Sequence, residues 1–466
     1  MKLASAQGRW VVAGAVLGSG AVFLEGSVVS VALPSIARDL NLGIAGLQWV
    51  LNAYLLTLSA LMLLGGDLGD RLGRSRVFTA GALGFATASV ACAFAPTVLV
   101  LVACRLLQGV AGALLIPNSL AMLEAAFEGE DRGAAIGQWA AWSAVSTSIG
   151  PLAGGLLVDD LSWRWVFAAV APFGLAAAVI SHRFVVDGAS SAKAGGRDVL
   201  GPVLITLGLA GVIGGLTAGP DSGFASPMVL GALVGGVALI AAFLIVERRS
   251  TSPLLPLDVF ASRQFTGANL TTLLVYAALT VLFLLLMLEL QNVLGYSALK
   301  AGASLLPINV LMLIISPIAG RLAERIGARL PMTCGALIGA VGMALFTRVH
   351  PGGSYVASVL PAVIVFGVGL SMFVAPLTSA VLAAVPSERV GVASAVNNAV
   401  SRLAGLLATA IVPLAAGISG ANALQSAELA RGFTRGMWIS AGLCAAGALV
   451  ALLTIAGTPA PKRHDE

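Results

Sequence analysis

Fourteen apolar runs divide the chain, each long enough to cross a bilayer. A helix needs about 20 apolar residues to span the hydrocarbon core of a membrane. The chain has 466 residues, of which 58% are hydrophobic and only 10% charged, so a water-soluble core cannot hold its apolar side chains. The sequence therefore predicts an all-α integral membrane protein with 14 transmembrane helices.

Charged residues and clusters of proline and glycine separate these runs and set the predicted helix boundaries. The predicted helices cover residues 10–33, 47–66, 77–95, 98–123, 133–157, 163–184, 199–218, 228–247, 267–290, 299–319, 331–349, 355–380, 391–417 and 434–457. The loops between them are too short to form a soluble domain. An even number of helices places both termini on the same side of the membrane.

Lysine and arginine residues are distributed unequally between the two sets of loops. If the N-terminus is cytoplasmic, the inner segments carry 18 of these residues and the outer loops 6. This asymmetry predicts that both termini are cytoplasmic. The basic residues are scattered through short loops, so no nucleic-acid partner is predicted, and the first apolar run is long enough to be an uncleaved first helix.

A short charged segment occurs twice in the chain. Residues 66–74, after helix two, recur as residues 320–329 after helix ten, so that Asp70 aligns with Glu324 and Gly73 with Gly327. Parallel repeats of this kind build transporters from two halves. The predicted domains are an N-terminal six-helix bundle at 1–190, two inserted linker helices at 191–258 and a C-terminal six-helix bundle at 259–466.

Glu25 is an acid inside an otherwise apolar helix. A charged side chain at such depth costs about 2.5–3.5 kcal/mol on insertion scales, so it normally faces a cavity or a partner. At 1.5 Å per residue, Glu25 lies roughly 12 Å below the outer surface and Arg105 of helix four roughly 10 Å below it. We expect the two charges to pair if their helices face one cavity. The alternative is an acid that only locks two helices together.

The four cysteines and three histidines give no sign of a metal or catalytic centre. Cys92, Cys104, Cys334 and Cys444 all fall in apolar segments without paired spacing and are expected to be small core residues. The histidines are far apart, and no loop carries a nucleotide-binding or nucleophile pattern. The sequence therefore predicts no metal site, no cofactor and no enzyme activity.

Several motifs carry a family resemblance that extends from about residue 10 to 455. The segment 66–76 resembles the loop signature of the major facilitator superfamily, and residues 24–34 are similar to the helix-one signature of its fourteen-helix drug:proton antiporter branch. That signature usually has an aspartate where this chain has Glu25. Further similar segments are 101–113, 146–155, 163–167, 291–297 and 396–398.

The resemblance implies roles for three groups of residues. Glu25 and Arg105 would couple transport to protons. A cytoplasmic gate motif would comprise Gly66, Asp70, Arg71, Gly73 and Arg74, and a role of its arginines in membrane orientation alone is the alternative. The motif typical of antiporters would comprise Gly150, Pro151, Gly154 and Gly155, with Ser146 where a glycine is common. A bend at Pro151 would help to seal the cavity from outside, and a plain kink without a gating role is the alternative.

The other polar and aromatic side chains in the helices are candidates for lining a substrate cavity. They are Gln108, Trp139, Trp142, Asn309, Asn398 and Arg402. Arg402 lies near the expected midplane, where a structural role is the alternative. Glu289, at the outer end of helix nine, is expected to be an interfacial, solvated acid.

Together these features predict a proton-coupled secondary active exporter of lipophilic small molecules, working by alternating access in a bacterial cytoplasmic membrane. Its partners would be the substrate, protons and the bilayer, the proton gradient would supply the energy, and the chain would act as a monomer. The alternative is a proton-independent or lipid-directed facilitator in which Glu25 and Arg105 form a structural pair. A non-transporting membrane sensor is the remaining alternative.

Overall fold

The computed structural model describes residues 1–185, 200–250, 253, 255–386, 389–420 and 423–457. Throughout these ranges the secondary structure is helical, without a strand. Fourteen helices in them are long and apolar enough to cross a membrane. The prediction of an all-α integral membrane protein with 14 transmembrane helices is confirmed.

The first compact unit comprises Met1–Leu255 together with Ser297–Gly302. Its helices are α1 Ala6–Leu40, α2 Ile44–Leu72, α3 Arg74–Ala93, α4 Val98–Ala126, α5 Gly129–Asp160, α6 Trp163–Ala168, α7 Ala171–Phe184, α8 Leu200–Ser222, α9 Pro227–Arg249 and α11 Ala298–Ala303, whose last residue falls outside the unit. Helix α4 packs against α2 and α3, and α1 against α5 and α7. The pair α8 and α9, predicted as inserted linker helices, rests against α2 through α8.

The second compact unit comprises Pro256–Tyr296 and Ala303–Glu466. Its helices are α10 Arg263–Leu288, α12 Leu306–Ile326, α13 Arg329–Phe346, α14 Leu360–Ala383, α15 Val390–Ala415 and α16 Ser426–Thr454. Short segments of other helix types cover Leu257–Ala261, Glu289–Val293 and Tyr355–Val359. Helix α10 packs against α15 and α16, and α14 against α12 and α13.

Helix α2 extends to Leu72, past its predicted end at residue 66. The predicted helix ends at Gly66, but Gly66 and Asp70 both lie inside α2. Gly69 is needed there for close packing, because a Cβ atom would overlap the Asn118 side chain of α4. The turn is made by Gly73 alone, with a φ of 101° that favours glycine.

The second copy of the repeated segment turns in the same way. Gly327 follows the end of α12 with a φ of 86°, and α13 begins two residues later. The two aligned glycines therefore hold equivalent positions, each within its own unit.

Among the cysteines, Cys92 and Cys444 are buried, whereas Cys334 is exposed, so the expectation of a core residue is wrong for Cys334.

Candidate functional site

Glu25 and Arg105 meet in the interior of the first unit. Thr97 caps the start of α4, where its side chain accepts a hydrogen bond from the Val100 backbone N–H. Two turns later Arg105 projects toward α1, and its Nη1 donates to Glu25 Oε1. The side chains of Glu25 and Arg105 are 0% and 1% exposed. The pairing expected from their similar depths is present.

Further groups around Arg105 satisfy its guanidinium. Its Nε donates to the Val50 carbonyl of α2 at 3.0 Å, and Nη1 donates to Gln108 Oε1 at 2.8 Å. The guanidinium carbon lies 4.3 Å from the Tyr54 ring centroid and 5.8 Å from that of Phe167. A buried ion pair is tolerated only with such additional contacts, because both ions have lost their hydration.

Gln108 links the ion pair to α3. Its Nε2 donates to Ser89 Oγ at 2.8 Å, and Ser89 Oγ donates in turn to the Phe85 carbonyl at 2.7 Å. Both side chains are fully buried. The chain of hydrogen bonds therefore fixes which way the Gln108 amide points, and with it the position of the Arg105 guanidinium.

The two oxygens of Glu25 differ in their surroundings. Oε1 accepts from Arg105, while Oε2 has no hydrogen-bond partner among the described residues. A buried carboxylate oxygen without a donor is a strong acceptor for a proton or for a cationic group. The arrangement can thus hold a proton on Oε2 while Arg105 stays anchored through Oε1, Val50 and Gln108.

Sequence reasoning missed the two aromatic side chains and Ser89 in this network. Tyr54 is 1% exposed and its hydroxyl donates to the Val22 carbonyl at 3.4 Å. A tyrosine in the middle of an apolar helix is a weak signal, but it does require a polar partner. The Phe167 contact carries no signal in the sequence, because any apolar residue suits that position equally well.

The gate motif forms local ion pairs in the first unit. Arg74 pairs with Asp70 at 2.9 Å and donates to the Ala121 carbonyl of α4 at 2.9 Å, while Arg71 pairs with Asp67 at 2.8 Å. Arg74 thereby connects the ends of α2 and α4 across the start of α3. Asp70 of α2 thus pairs with the first residue of the following helix, α3. A gating role for the motif stays a prediction.

The glycines of the antiporter motif make tight contacts along α5. A Cβ atom at Gly150 would overlap Ser27 of α1, and one at Gly154 would lie 3.0 Å from Val28 Cγ1. These contacts bring α5 against the turn of α1 that follows Glu25. Both glycines therefore allow α1 and α5 to approach each other closely.

The C-terminal part of α5 packs against the segment 297–302. A Cβ atom at Gly155 would overlap the Leu299 backbone, and one at Gly302 would overlap the Pro151 carbonyl. Asp159 accepts hydrogen bonds from the backbone N–H groups of Ala298, at 3.0 Å, and Leu299, at 2.8 Å. Asp159 thus caps the start of α11, a contact that the sequence alone did not predict.

Comparison with known proteins now identifies the family. Residues 15–409 match the family model described as Major Facilitator Superfamily. The chain belongs to the major facilitator superfamily. It is a membrane transporter of this superfamily and not an enzyme, in agreement with the sequence-based prediction.

Curated relatives and solved structures of superfamily members resemble the chain over most of its length. A puromycin resistance protein of Streptomyces alboniger is 38% identical over 84% of this chain and 78% of its own. A tetracenomycin C resistance and export protein of Streptomyces glaucescens is 33% identical over 84% and 72%. A bacterial homologue of the human lysosomal transporter Spinster has the same fold, with 16% identity, a TM-score of 0.69 and 97% of both chains covered.

Two tryptophans were candidates for a substrate cavity in this superfamily transporter. Trp139 is half-buried, donates to Ser19 Oγ at 2.6 Å and lies edge-on to Phe23, with 6.4 Å between ring centroids. Trp142 is 56% exposed. Of the two, Trp139 is the one that the structure attaches to α1, the helix that carries Glu25.

In the second unit, Asn397 forms hydrogen bonds between helices, and the predicted cavity residue Asn398 does not. Asn397 donates to Asn269 Oδ1 at 3.2 Å and to Thr272 Oγ1 at 2.8 Å, joining α15 to α10. Asn398 is exposed and donates to the Ser394 carbonyl of its own helix. The candidates Asn309 and Arg402 are half-buried.

Glu289 is not the solvated interfacial acid that its position suggested. The side chain is 0% exposed, at the start of the π-helical segment Glu289–Val293 that follows α10. The prediction was wrong because α16 packs over this segment and covers it. Sequence position gives the depth of a residue along its helix but not which neighbouring helix shields it.

Proposed function

We propose that this chain is a proton-coupled secondary active exporter of lipophilic small molecules, such as drugs, antibiotics or secreted metabolites. The observation that carries the proposal is the buried pair of Glu25 and Arg105, in which Glu25 Oε2 has no hydrogen-bond donor among the described residues. A carboxyl that serves only to lock helices together would gain most from having both oxygens satisfied.

The proton would bind at Glu25 from the outer side. A hydronium ion transfers its proton to Oε2, which leaves a water molecule and a neutral carboxylic acid beside Arg105. Neutralisation weakens the ionic attraction across Oε1, while Val50 and Gln108 still hold the guanidinium. Release of the proton to the cytoplasm, as substrate binds, restores the ion pair and completes one exchange by alternating access.

The named relatives support export as the direction of transport. One relative is named as a puromycin resistance protein, and the other is named as a resistance and export protein. The solved structures support the fold alone. In this proposal Gln108, Trp139 and Trp142 in the first unit, and Asn309, Asn398 and Arg402 in the second, are the residues that line the path of the substrate.

The remaining parts of the proposal concern the gates and the orientation. The segment from Gly66 to Arg74 acts as a cytoplasmic latch, and the contacts of Gly155 and Asp159 close the outer side. Both termini are cytoplasmic, as the distribution of basic residues indicates. The chain works as a monomer in a bacterial cytoplasmic membrane.

Inverted membrane vesicles with an imposed pH gradient test the coupling. We expect a lipophilic substrate to accumulate in the vesicles only while the gradient is maintained, and its addition to dissipate the gradient, as reported by a pH-sensitive dye. Vesicles without the protein are the control. Substrates are first selected by a panel of efflux assays in a host that lacks its own drug exporters.

The alternative function is proton-independent facilitated transport. The observation in its favour is that Arg105 is held by three different acceptors and two aromatic rings, as a structural residue would be. Transport that equilibrates the substrate at the same rate with and without the pH gradient would favour this alternative and contradict proton coupling.

A further inference from the structure

A second buried carboxyl lies in the second unit, outside the network around Arg105. Glu289 is 0% exposed and begins the π-helical segment Glu289–Val293. This segment ends the membrane-spanning helix that starts at Arg263. Short π-helical segments inside longer helices occur frequently at functional sites, since they displace side chains from their regular positions.

The buried residues that α10 and α16 place at this end of the helices are apolar or glycine. The preceding turn of α10 presents buried side chains from Leu284 to Leu288. Helix α16 also packs against the π-helical segment, and its buried residues at this end are Leu429, Gly432, Phe433 and Gly436.

The charged residues of these two helices are exposed to the surroundings of the protein. At the same end of α16, Glu428, Arg431 and Arg435 are all exposed, and Arg263 lies at the opposite end of α10. Tyr296, in the loop that follows, is half-buried. Neither oxygen of Glu289 has a hydrogen-bond partner among the described residues, and none of the ion pairs found there includes it.

An ionised carboxylate is a poor fit for such a site. Without a donor or a counter-ion, burial of the charge costs several kcal/mol, whereas the neutral acid loses only its hydrogen bonds to water. The described conformation therefore accommodates Glu289 as a carboxylic acid. An ionised Glu289 requires a conformation in which water reaches the start of the π-helical segment.

We propose that Glu289 is a second proton-binding residue of the exporter, occupied in the described conformation and ionised when the π-helical segment admits water. The inference rests on the proton coupling proposed above. Glu289 lies four residues before the end of its spanning helix, about 6 Å at 1.5 Å per residue. On the proposed orientation, its proton passes to water on the outer side as the acid O–H bond breaks, and it is regained from there.

Infrared spectroscopy of the purified full-length protein tests the protonation directly. We expect the carbonyl absorption of a protonated carboxylic acid at neutral pH, and its loss in Glu289→Gln. The matched control is Glu428→Gln, which changes an exposed acid on the packed helix α16 and should leave the absorption unchanged. The same absorption in wild type and in folded Glu289→Gln would overturn the inference.

Transport measurements test the role of this proton. We expect Glu289→Gln to keep gradient-driven export through Glu25, but to lose part of the dependence of the export rate on outer pH. An unchanged pH profile would overturn the inference. If the wild-type transport rate does not depend on the pH gradient, the proposed proton coupling through Glu25 is contradicted as well. The infrared result still decides whether Glu289 holds a proton.

A third variant guards against a failure of Glu289→Gln to fold. Glu289→Met fills the same apolar site without polar atoms, so we expect its thermal stability to equal or exceed that of the wild type. A marked loss of stability in Glu289→Met would show that Glu289 has an ionic partner, and it would contradict the proposal.

Discussion

Arg105 connects three helices of the first unit through hydrogen bonds of its guanidinium and of Gln108 beside it. Its guanidinium contacts α1 through Glu25, α2 through Val50 and a third residue, Gln108, on its own helix. The guanidinium is planar and its five N–H donors point in fixed directions, so it can donate to three acceptors on different sides. The ammonium of lysine is compact and cannot reach acceptors that are spread in this way. The identity of this residue therefore matters as much as its charge.

Substitutions of Tyr54 separate its ring from its hydroxyl. The Arg105 guanidinium lies over this ring, and a desolvated cation–π contact contributes about 2 kcal/mol. We expect Tyr54→Leu to lower the export rate on the order of tenfold because Arg105 loses its fixed position. Tyr54→Phe, the matched control, keeps the ring and should remain within about twofold of wild type; equal losses in both variants would contradict this role of the ring.

An exposed ion pair in the second unit gives a pH dependence with a definite sign. A hydrogen bond from Arg389 lowers the pKa of the Asp258 carboxyl below its usual value of 3.8. Since the folded-state pKa is the lower one, the pair stabilises the fold above pH 3.8, and this contribution disappears as the pH falls through the folded-state value.

Thermal unfolding at two pH values measures this contribution. We expect Asp258→Asn to lower the unfolding temperature slightly at pH 7 and not at all at a pH well below 3.8. The effect at pH 7 is small because both side chains are exposed and screened by solvent. A difference between wild type and variant that persists unchanged at low pH would contradict the ion-pair interpretation.

At the scale of single elements, α5 offers glycines with and without close neighbours. A Cβ atom at Gly155 would overlap Leu299, whereas one at Gly137 of the same helix meets nothing within 4 Å. Overpacking a close contact typically costs about 1–3 kcal/mol. We therefore expect Gly155→Ala to lower the unfolding temperature of the purified protein, and the matched control Gly137→Ala to preserve or raise it.

Export assays extend this comparison to the proposed outer closure. If the contact of Gly155 with the segment 297–302 forms once per cycle, Gly155→Ala lowers the export rate together with stability. Asp159→Asn keeps one acceptor for the Ala298 and Leu299 backbone N–H groups but removes the charge, so we expect a smaller loss. Wild-type export by Gly155→Ala would contradict the assignment of this contact to the outer closure.

The membrane-spanning helices can be predicted from the sequence because an apolar run must be long enough to cross the hydrocarbon core of the bilayer. Fourteen spans were expected, and fourteen are present in the described ranges. Helix ends were less accurate: α2 passes through Gly66 and Gly69 because these glycines pack against α4, and glycine in a sequence does not reveal whether it serves packing or a turn.

The candidate site could be predicted as far as it depends on depth. Counting residues placed Glu25 and Arg105 at one level, and the structure brings them into contact. The partners Val50, Tyr54 and Ser89 depend on how helices are rotated about their axes, which residue spacing does not determine. The burial of Glu289 depends on the packing of α16, a helix far along the chain.

The whole molecule combines a repeated segment, with one copy in each of its two units, and a buried ion pair in the first unit. Each unit carries its own copy of the glycine turn, at Gly73 and Gly327. In the proposed cycle, the ion pair of Glu25 and Arg105 is made and broken once for each proton.

The most direct test is substrate exchange and gradient-driven export measured on the same vesicles for wild type and Glu25→Gln. Glutamine keeps the size of the side chain and a hydrogen-bond acceptor for Arg105, but it cannot bind and release a proton. We predict that Glu25→Gln abolishes export driven by the pH gradient while exchange of labelled for unlabelled substrate continues. Export by Glu25→Gln that still follows the pH gradient at the wild-type rate would contradict the account.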